Sequence, residues 1–193
     1  MTIAINIAIL LPAAVQQTVK ELNTSLSSSD NEGFRFDEAH HPHITLGQHF
    51  VTRAQVPEIS SRINALLSGH PPLELHVTGV QSGRTTQTLV IEPAPPLQKL
   101  HEGVMHTLAA YELSMAEQDS FRIDGAPLRK TDVSWVTSFR SRSSYAYYVP
   151  HITIGSGTRP LNAELFRFTA HEIAICQLGR FCTCRNRLAS WTL

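Results

Sequence analysis

The chain has 193 residues, 42% of them hydrophobic, which is enough for one domain or two small lobes with a packed core. Its 16 Lys and Arg residues balance 16 Asp and Glu residues, which argues against a large nonspecific surface for nucleic acid or membranes. No stretch reaches the ~18 consecutive apolar residues of a membrane span. Any phosphate-binding site must therefore be built locally.

The three cysteines, Cys176, Cys182 and Cys184, are an odd number and lie close together. This favours reduced thiols in a cytosolic protein, and Cys182 and Cys184 make a poor zinc site without a second pair. The apolar opening of the chain lacks the basic residues that begin a signal peptide. We expect a cytoplasmic monomer that has no membrane partner.

The first half of the chain alternates between strand and helix patterns. Isoleucines at every second position from Ile3 to Ile9 predict a buried strand. Apolar residues recur at helical spacing in residues 15–26 and again in residues 56–67. Residues 73–80 and 86–92 then predict two strands around a glycine-containing turn.

The second half is less regular. Pro96 begins a third predicted helix, whose apolar face extends to Tyr111. Residues 112–149 show no clear period and predict irregular structure. The remaining predicted elements are a helical turn and two closing strands, at 162–168, 168–178 and 184–193.

One hexapeptide occurs twice, once in each half of the chain. Pro42–Gly47 reads PHITLG and Pro150–Gly155 reads PHITIG, so five of the six positions are identical. Chance would give a Pro-His-Ile-Thr only about 0.003 times in a chain of this composition. A third His-x-Thr, at His76, lacks the flanking proline and isoleucine, and we interpret it as structural. The repeat indicates internal duplication or selection for one chemistry at two places.

In a strand, each motif would bury its aliphatic residues and present His43 with Thr45, and His151 with Thr153, on the opposite face. Two facing histidines can serve as general base and general acid near neutral pH. The threonine hydroxyls can donate hydrogen bonds to a phosphoryl oxygen between the rings. The same site could run the reaction in reverse as a ligase. This chemistry needs no metal, although the acidic and histidine residues at positions 37–41 leave a metal site open.

The paired motifs resemble the H-x-T-x motifs of the two-histidine (2H) phosphoesterase superfamily, which includes 2′-5′ RNA ligase-like proteins and cyclic nucleotide phosphodiesterases. The resemblance covers most of the chain. It implies an α+β fold in one domain spanning residues 1–193. In that fold, two pseudo-twofold-related lobes of mainly antiparallel sheet carry helices on their outer faces and enclose a central cleft.

The resemblance also implies site roles. His43 and His151 would be catalytic, Thr45 and Thr153 would bind phosphate, and no metal or cofactor would be needed. In hydrolysis of a cyclic phosphate, the resemblance favours His151 as base and His43 as acid. The predicted substrate is a nucleotide or short RNA whose 2′,3′-cyclic phosphate is opened to a 2′-phosphate.

Three other functions stay open on the sequence. These are cleavage of 2′-5′-linked or cyclic oligonucleotides, a non-catalytic RNA- or nucleotide-binding module, and a histidine-based metalloenzyme. Basic residues interleaved with aromatic ones suit a phosphate and a stacked base. The residues that we predict to bind substrate in this way are Arg84, Arg140, Arg142, Phe50, Trp135, Tyr145, Tyr147 and Tyr148.

Overall fold

The protein is built on one curled sheet, to which the described residues contribute eight strands. The computed structural model describes residues 1–26, 34–83, 86–114, 119–122, 129–157 and 161–193. The strands are β1 (Thr2–Leu10), β2 (His43–Thr52), β3 (Leu73–Ser82), β4 (Thr86–Ile91), β5 (His151–Ser156), β6 (Phe166–Ala170), β7 (Glu172–Leu178) and β8 (Cys184–Thr192). The α-helices are α1 (Ala13–Ser25), α2 (Val56–Leu67), α3 (Pro95–Leu108) and α4 (Lys130–Arg142). Measured against the thickness of a bilayer, every described helix is too short or too polar to span it.

The sheet consists of two four-stranded lobes that meet at the motif strands. The strand order is β6-β3-β4-β5-β2-β1-β7-β8, and each neighbouring pair is antiparallel. We call β1, β2, β7 and β8 the first lobe, and β3 to β6 the second lobe. Ile44 of β2 pairs with Ile152 of β5, and antiparallel pairing is a local twofold relation. The predicted α+β fold with two pseudo-twofold-related antiparallel lobes is thus confirmed.

The second lobe is nested within the first along the chain. Its four strands lie between Leu73 and Ala170, whereas the first lobe takes β1 and β2 from before this stretch and β7 and β8 from after it. The chain crosses between lobes at His171, because β6 pairs with β3 and β7 pairs with β1. The single strand predicted over residues 168–178 was therefore wrong: two strands in different lobes occupy that stretch.

The isoleucine alternation of β1 is confirmed. All four of its isoleucines are fully buried, in one apolar cluster with Val19 of α1 and Val104 of α3. Each fully buried aliphatic side chain of this size contributes about 1.5–3 kcal/mol to folding. The opposite face of β1 is the one on which the paired strand β2 carries His43 and Thr45, and we call it the cleft face. Its side chains from Thr2 onwards are Thr2, Ala4, Asn6, Ala8 and Leu10.

Each motif strand is contacted by a helix that follows a strand of the other lobe in the chain. Helix α1 follows β1 of the first lobe but packs on β5 of the second. Helix α3 follows β4 of the second lobe but packs on β2 of the first. Asn23 Nδ2 of α1 donates a hydrogen bond to the carbonyl oxygen of Ile154, 2.8 Å away. His101 Nδ1 of α3 donates to the carbonyl oxygen of Leu46 at 2.7 Å. Leu46 and Ile154 hold the same position in the two hexapeptides, so the two helices repeat one packing arrangement.

The glycine that ends each hexapeptide allows this close approach. A Cβ on Gly47 would lie 3.1 Å from Val104 Cγ1 of α3. Gly155 has a φ of +154°, and a Cβ there would lie 2.6 Å from Asn23 Nδ2. A side chain at Gly155 would therefore strain the backbone and displace the buried amide.

Two predicted elements in the second half were wrong. The stretch predicted as irregular, residues 112–149, contains α4. This helix is rich in serine and threonine, which have low helix propensity. Three of their hydroxyls, those of Thr137, Ser138 and Ser141, donate to carbonyls about one turn back. The helical turn predicted at 162–168 is not present, because residues 161–165 have no regular structure and β6 begins at Phe166.

We expect Gly155→Ala to lower the free energy of unfolding by roughly 1–3 kcal/mol, because the new methyl group overpacks the Asn23 amide. Gly79→Ala in β3 is the matched control, since no atom lies within 4 Å of an added Cβ there. Its effect should stay within about 0.5 kcal/mol. Urea unfolding of both variants measures the difference, and equal losses would contradict this account of the motif glycine.

Candidate active site

The two motif histidines lie on adjacent strands, and both bind a backbone carbonyl through the same ring nitrogen, Nδ1. His43 Nδ1 is 2.8 Å from the carbonyl oxygen of His41, and His151 Nδ1 is 2.9 Å from that of Val149. A carbonyl oxygen can only accept, so Nδ1 carries the proton in the neutral ring and the lone pair is on Nε2. Each motif thus fixes its imidazole tautomer through the backbone two residues earlier.

The environments of the two imidazoles differ. His43 is half-buried, whereas His151 is exposed. Burial lowers the pKa of His43 to about 4, and the nearby His151 acts in the same direction. His43 is therefore neutral at neutral pH, and its Nε2 is available to accept a proton.

The threonines stand beside the histidines of the opposite motif. The Ile44–Ile152 pairing, continued by one residue in each direction, puts Thr45 opposite His151 and Thr153 opposite His43. A hydrogen bond fixes the backbone of Thr45, since the Tyr148 hydroxyl donates to the Thr45 carbonyl oxygen at 2.9 Å. Burial raises the pKa of Tyr148, which keeps this hydroxyl protonated.

His101 supports this arrangement from behind. Its ring is stacked on Tyr148 with centroids 3.9 Å apart and an interplanar angle of 2°. Its Nε2 accepts the Tyr145 backbone N–H at 2.8 Å, while its Nδ1 is bound to β2. Burial lowers the pKa of His101, in keeping with a neutral ring that uses one nitrogen as donor and the other as acceptor.

A cavity of about 390 Å³ opens on the His151 side of the motif pair. This volume falls in the range of small-molecule sites. Its lining comes from the two motif strands, the β3–β4 hairpin, the end of α4 and the segment before β5: Thr45, Gln81, Gly83, Thr86, Thr88, Phe139, Arg142, Ser143, Tyr147, Tyr148, Val149 and His151. His43 and Thr153 are not among these lining residues.

Three of the residues predicted to bind substrate line this cavity: Arg142, Tyr147 and Tyr148. Tyr147 is 68% exposed, so its ring is accessible to a ligand. Arg84 lies outside the described residues. The cavity therefore brings together one cation and two tyrosines beside His151.

Other predicted binding residues lie elsewhere. Phe50 is only 1% exposed and packs on Phe121, with ring centroids 5.7 Å apart, so it is a core residue and cannot stack on a base. Trp135 is 45% exposed on α4, where the guanidinium of Arg129 lies 5.5 Å from its ring centroid. Trp135 is not among the cavity residues.

Arg140 is occupied by an internal ion pair. Its Nε and Nη2 donate to the two carboxylate oxygens of Glu112, each at 2.6 Å, and its Nη1 donates to the Tyr145 hydroxyl at 2.8 Å. His49 Nδ1 lies 2.6 Å from the same carboxylate. Burial opposes ionisation of Glu112, but hydrogen bonds from His49 and Arg140 lower its pKa. Arg140 and Tyr145 are thus engaged in contacts within the protein that hold α4 beside Glu112, in place of the substrate contacts predicted for them.

Sequence reasoning missed two residues of the site. Asn6 donates from Nδ2 to Thr45 Oγ1 at 2.9 Å, and His101 holds Tyr148 as described. The available signal for Asn6 was an amide between two isoleucines in a strand that is apolar at all its other positions from Ile3 onwards. Within the described ranges, no three His, Cys, Asp or Glu side chains are grouped as metal ligands.

Comparison with known families identifies the class of protein. The 2′-5′ RNA ligase superfamily matches residues 11–177, which is most of the chain, and the chain belongs to this family. The resemblance to two-histidine phosphoesterases is therefore confirmed. No curated protein matches the chain significantly.

Solved structures share the fold along the whole chain. TT0787 of Thermus thermophilus has 15% identity and a TM-score of 0.64, with 99% of this chain and 98% of that chain covered. Escherichia coli LigT complexed with NADP+ has 16% identity and a TM-score of 0.58, with 100% and 99% covered. LigT complexed with 3′-AMP has 17% identity and a TM-score of 0.55, also with 100% and 99% covered. At such low identity these similarities show the fold alone.

We expect Arg140→Met to lower the free energy of unfolding by about 1.5–3 kcal/mol, the range for hydrogen bonds to charged groups, because it leaves the Glu112 carboxylate with His49 but without the guanidinium. Arg142→Met, two residues along the same helix, should change it by no more than about 0.5 kcal/mol. Chemical denaturation of both variants makes the comparison. A larger loss in the Arg142 variant would refute the assignment of Arg140 to the ion pair.

Proposed function

We propose that the protein is a metal-independent phosphodiesterase that uses two histidines as general acid and base on an RNA-type phosphodiester. Its simplest reaction would open a nucleoside 2′,3′-cyclic phosphate to a 2′-phosphate. The observation that carries this proposal is the motif pair: two imidazoles on adjacent strands, each with its Nε2 available, and a threonine beside each ring.

The cavity supports a nucleotide as the substrate. It lies beside His151 and carries Arg142, whose guanidinium suits a phosphate, and Tyr147 and Tyr148, whose rings suit a base. Solved structures of the relative LigT are described as complexes with NADP+, ATP and 3′-AMP, all of which are nucleotides. We assign Arg142 and the two tyrosines to substrate binding on these grounds.

The proposed reaction transfers two protons. Nε2 of neutral His43 takes a proton from water as the water oxygen bonds to phosphorus. The bond between phosphorus and the 3′ oxygen breaks, and that oxygen takes the Nε2 proton of protonated His151. The hydroxyls of Thr45 and Thr153 donate to the non-bridging oxygens, which gain charge in the transition state. The products are a 2′-phosphomonoester and a 3′-hydroxyl, and the reverse sequence would join them.

These roles reverse the assignment that the resemblance favoured. The reason is the half-buried position of His43, which lowers its pKa to about 4. At pH 7 such a group is protonated in only about one molecule per thousand, so it is poorly suited to be the acid. His151, exposed beside the cavity, takes the role of acid in this scheme.

Phosphorus NMR of a 2′,3′-cyclic nucleotide incubated with the protein in excess chelator should show conversion to the 2′-phosphate. We expect His43→Ala and His151→Ala each to lower kcat/KM by about 10²–10⁴-fold, the usual contribution of a general acid or base. His76→Ala is the matched control, because this third His-x-Thr histidine is paired with Glu92 at 2.9 Å. Binding without turnover would instead favour a nucleotide-binding module, and a requirement for one added metal would favour a metalloenzyme.

The two roles can be separated with a p-nitrophenyl phosphodiester, whose leaving oxygen departs without a proton. On this substrate the deficit of His151→Ala should shrink at least about tenfold, while that of His43→Ala should persist. If the p-nitrophenyl substrate reduced the deficit of His43→Ala and left that of His151→Ala unchanged, His151 would be the base and His43 the acid.

The pH dependence of the wild-type rate with the same p-nitrophenyl substrate tests the base. Protonation of the base at low pH removes activity, so this rate should be constant at neutral pH and fall with a midpoint at about 4, the pKa to which burial lowers His43.

A further inference from the structure

The cleft face of β1 carries one polar side chain besides Thr2, the residue that begins the strand. Ala4, Ala8 and Leu10 are apolar, whereas Asn6 is an amide that is completely buried. Its Nδ2 donates to Thr45 Oγ1 at 2.9 Å, and Cys184 also lies within hydrogen-bonding reach of this amide. Asn6 therefore connects β1 to one of the two motif threonines.

Packing alone does not explain an asparagine at this position. Among the described residues, no group donates a hydrogen bond to Asn6 Oδ1, although the atom is buried. A leucine has the same branched shape, although its methyl groups are larger, and it would not bury an unpaired oxygen. The neighbouring positions on this face show that apolar residues fit. What the asparagine adds is its polar contacts, and the bond to Thr45 is the one that reaches the motif pair.

This bond determines what the Thr45 hydroxyl can do. Because the amide N–H occupies a lone pair of Oγ1, the hydroxyl proton must point away from Asn6. Thr45 lines the cavity, so a phosphoryl oxygen bound there can receive that proton. Thr153 holds the same position as Thr45 in the second motif but differs from it. Within the described part of the chain, no hydrogen bond to the Thr153 side chain is found.

We propose that Asn6 is a positioning residue that orients the Thr45 hydroxyl towards the substrate phosphate and so makes the two motif threonines unequal. The inference rests on the proposed function, since it assumes that Thr45 binds a phosphoryl oxygen that gains charge during the reaction. Asn6 itself is buried beneath Thr45 and acts only through it.

Asn6→Leu tests this role. With a 2′,3′-cyclic nucleotide we expect kcat to fall about tenfold and KM to change less than about threefold, because the lost orientation matters most when charge develops on phosphate. The thermal midpoint should be unchanged or higher, because the variant removes an unpaired buried oxygen. Asn6→Ala, which matches Ala4 and Ala8 on the same face, serves if the leucine is not accommodated.

A double-mutant cycle identifies the residue through which Asn6 acts. In a Thr45→Val background, Asn6→Leu should have no further effect on kcat. In a Thr153→Val background, the matched control, it should keep its full effect of about tenfold. Additive losses with Thr45→Val, or an Asn6→Leu enzyme with the wild-type rate, would overturn the positioning role while leaving the proposed function intact. A wild-type rate in Thr45→Val would overturn the phosphate-binding role of Thr45 and with it the role of Asn6, whereas loss of the proposed function itself would appear as no turnover by the wild-type protein.

Discussion

One backbone pairing, between Ile44 of β2 and Ile152 of β5, sets the geometry on which the rest of the site depends. Side chains alternate across a strand, so this register turns both histidines and both threonines to the cleft and both aliphatic pairs to the core. A slip of one residue in either strand would bury a histidine against the helices and expose an isoleucine. The motif side chains are thus held by regular sheet structure, which positions side chains more accurately than loops do.

The helices stabilise this register from the other face. Asn23 and His101 reach from α1 and α3 to the carbonyl oxygens of Ile154 and Leu46, the same position in each motif. Buried carbonyls that lose their donors destabilise a protein, so a change of register would carry a cost at both positions. The two donors are chemically different, an amide and an imidazole. The pseudo-symmetry therefore applies to the backbone and to the packing of the helices. The side chains around the two motifs differ, so the two motifs have different environments.

Much of the fold, and the pair of motifs in the candidate site, could be predicted because their signals are local. The isoleucine alternation of β1 and the apolar face of α3 are visible within a few residues, and the repeated hexapeptide marks His43 and His151. Helix α4 escaped prediction because its stability comes from packing against β2, with only Val136 and Phe139 as buried apolar anchors.

The surroundings of the motifs depend on contacts between distant parts of the chain. Arg140 and Arg142 are two residues apart on one helix, yet the first is bound to Glu112 and the second lines the cavity. Phe50 follows the first motif closely but is turned into the core. Local sequence cannot distinguish these cases, because the direction of each side chain is decided by what the folded chain places beside it.

The nesting of one lobe inside the other has a consequence for the protein as it leaves the ribosome. The four strands of the second lobe emerge in succession, but β1 and β2 must wait for β7 and β8. During that interval β1, the strand with four fully buried isoleucines, has no partner along the edge that β7 will cover. An apolar strand with an unpaired edge is prone to join other chains. The nascent chain is therefore most vulnerable to aggregation while the second lobe is being synthesised, before β7 arrives.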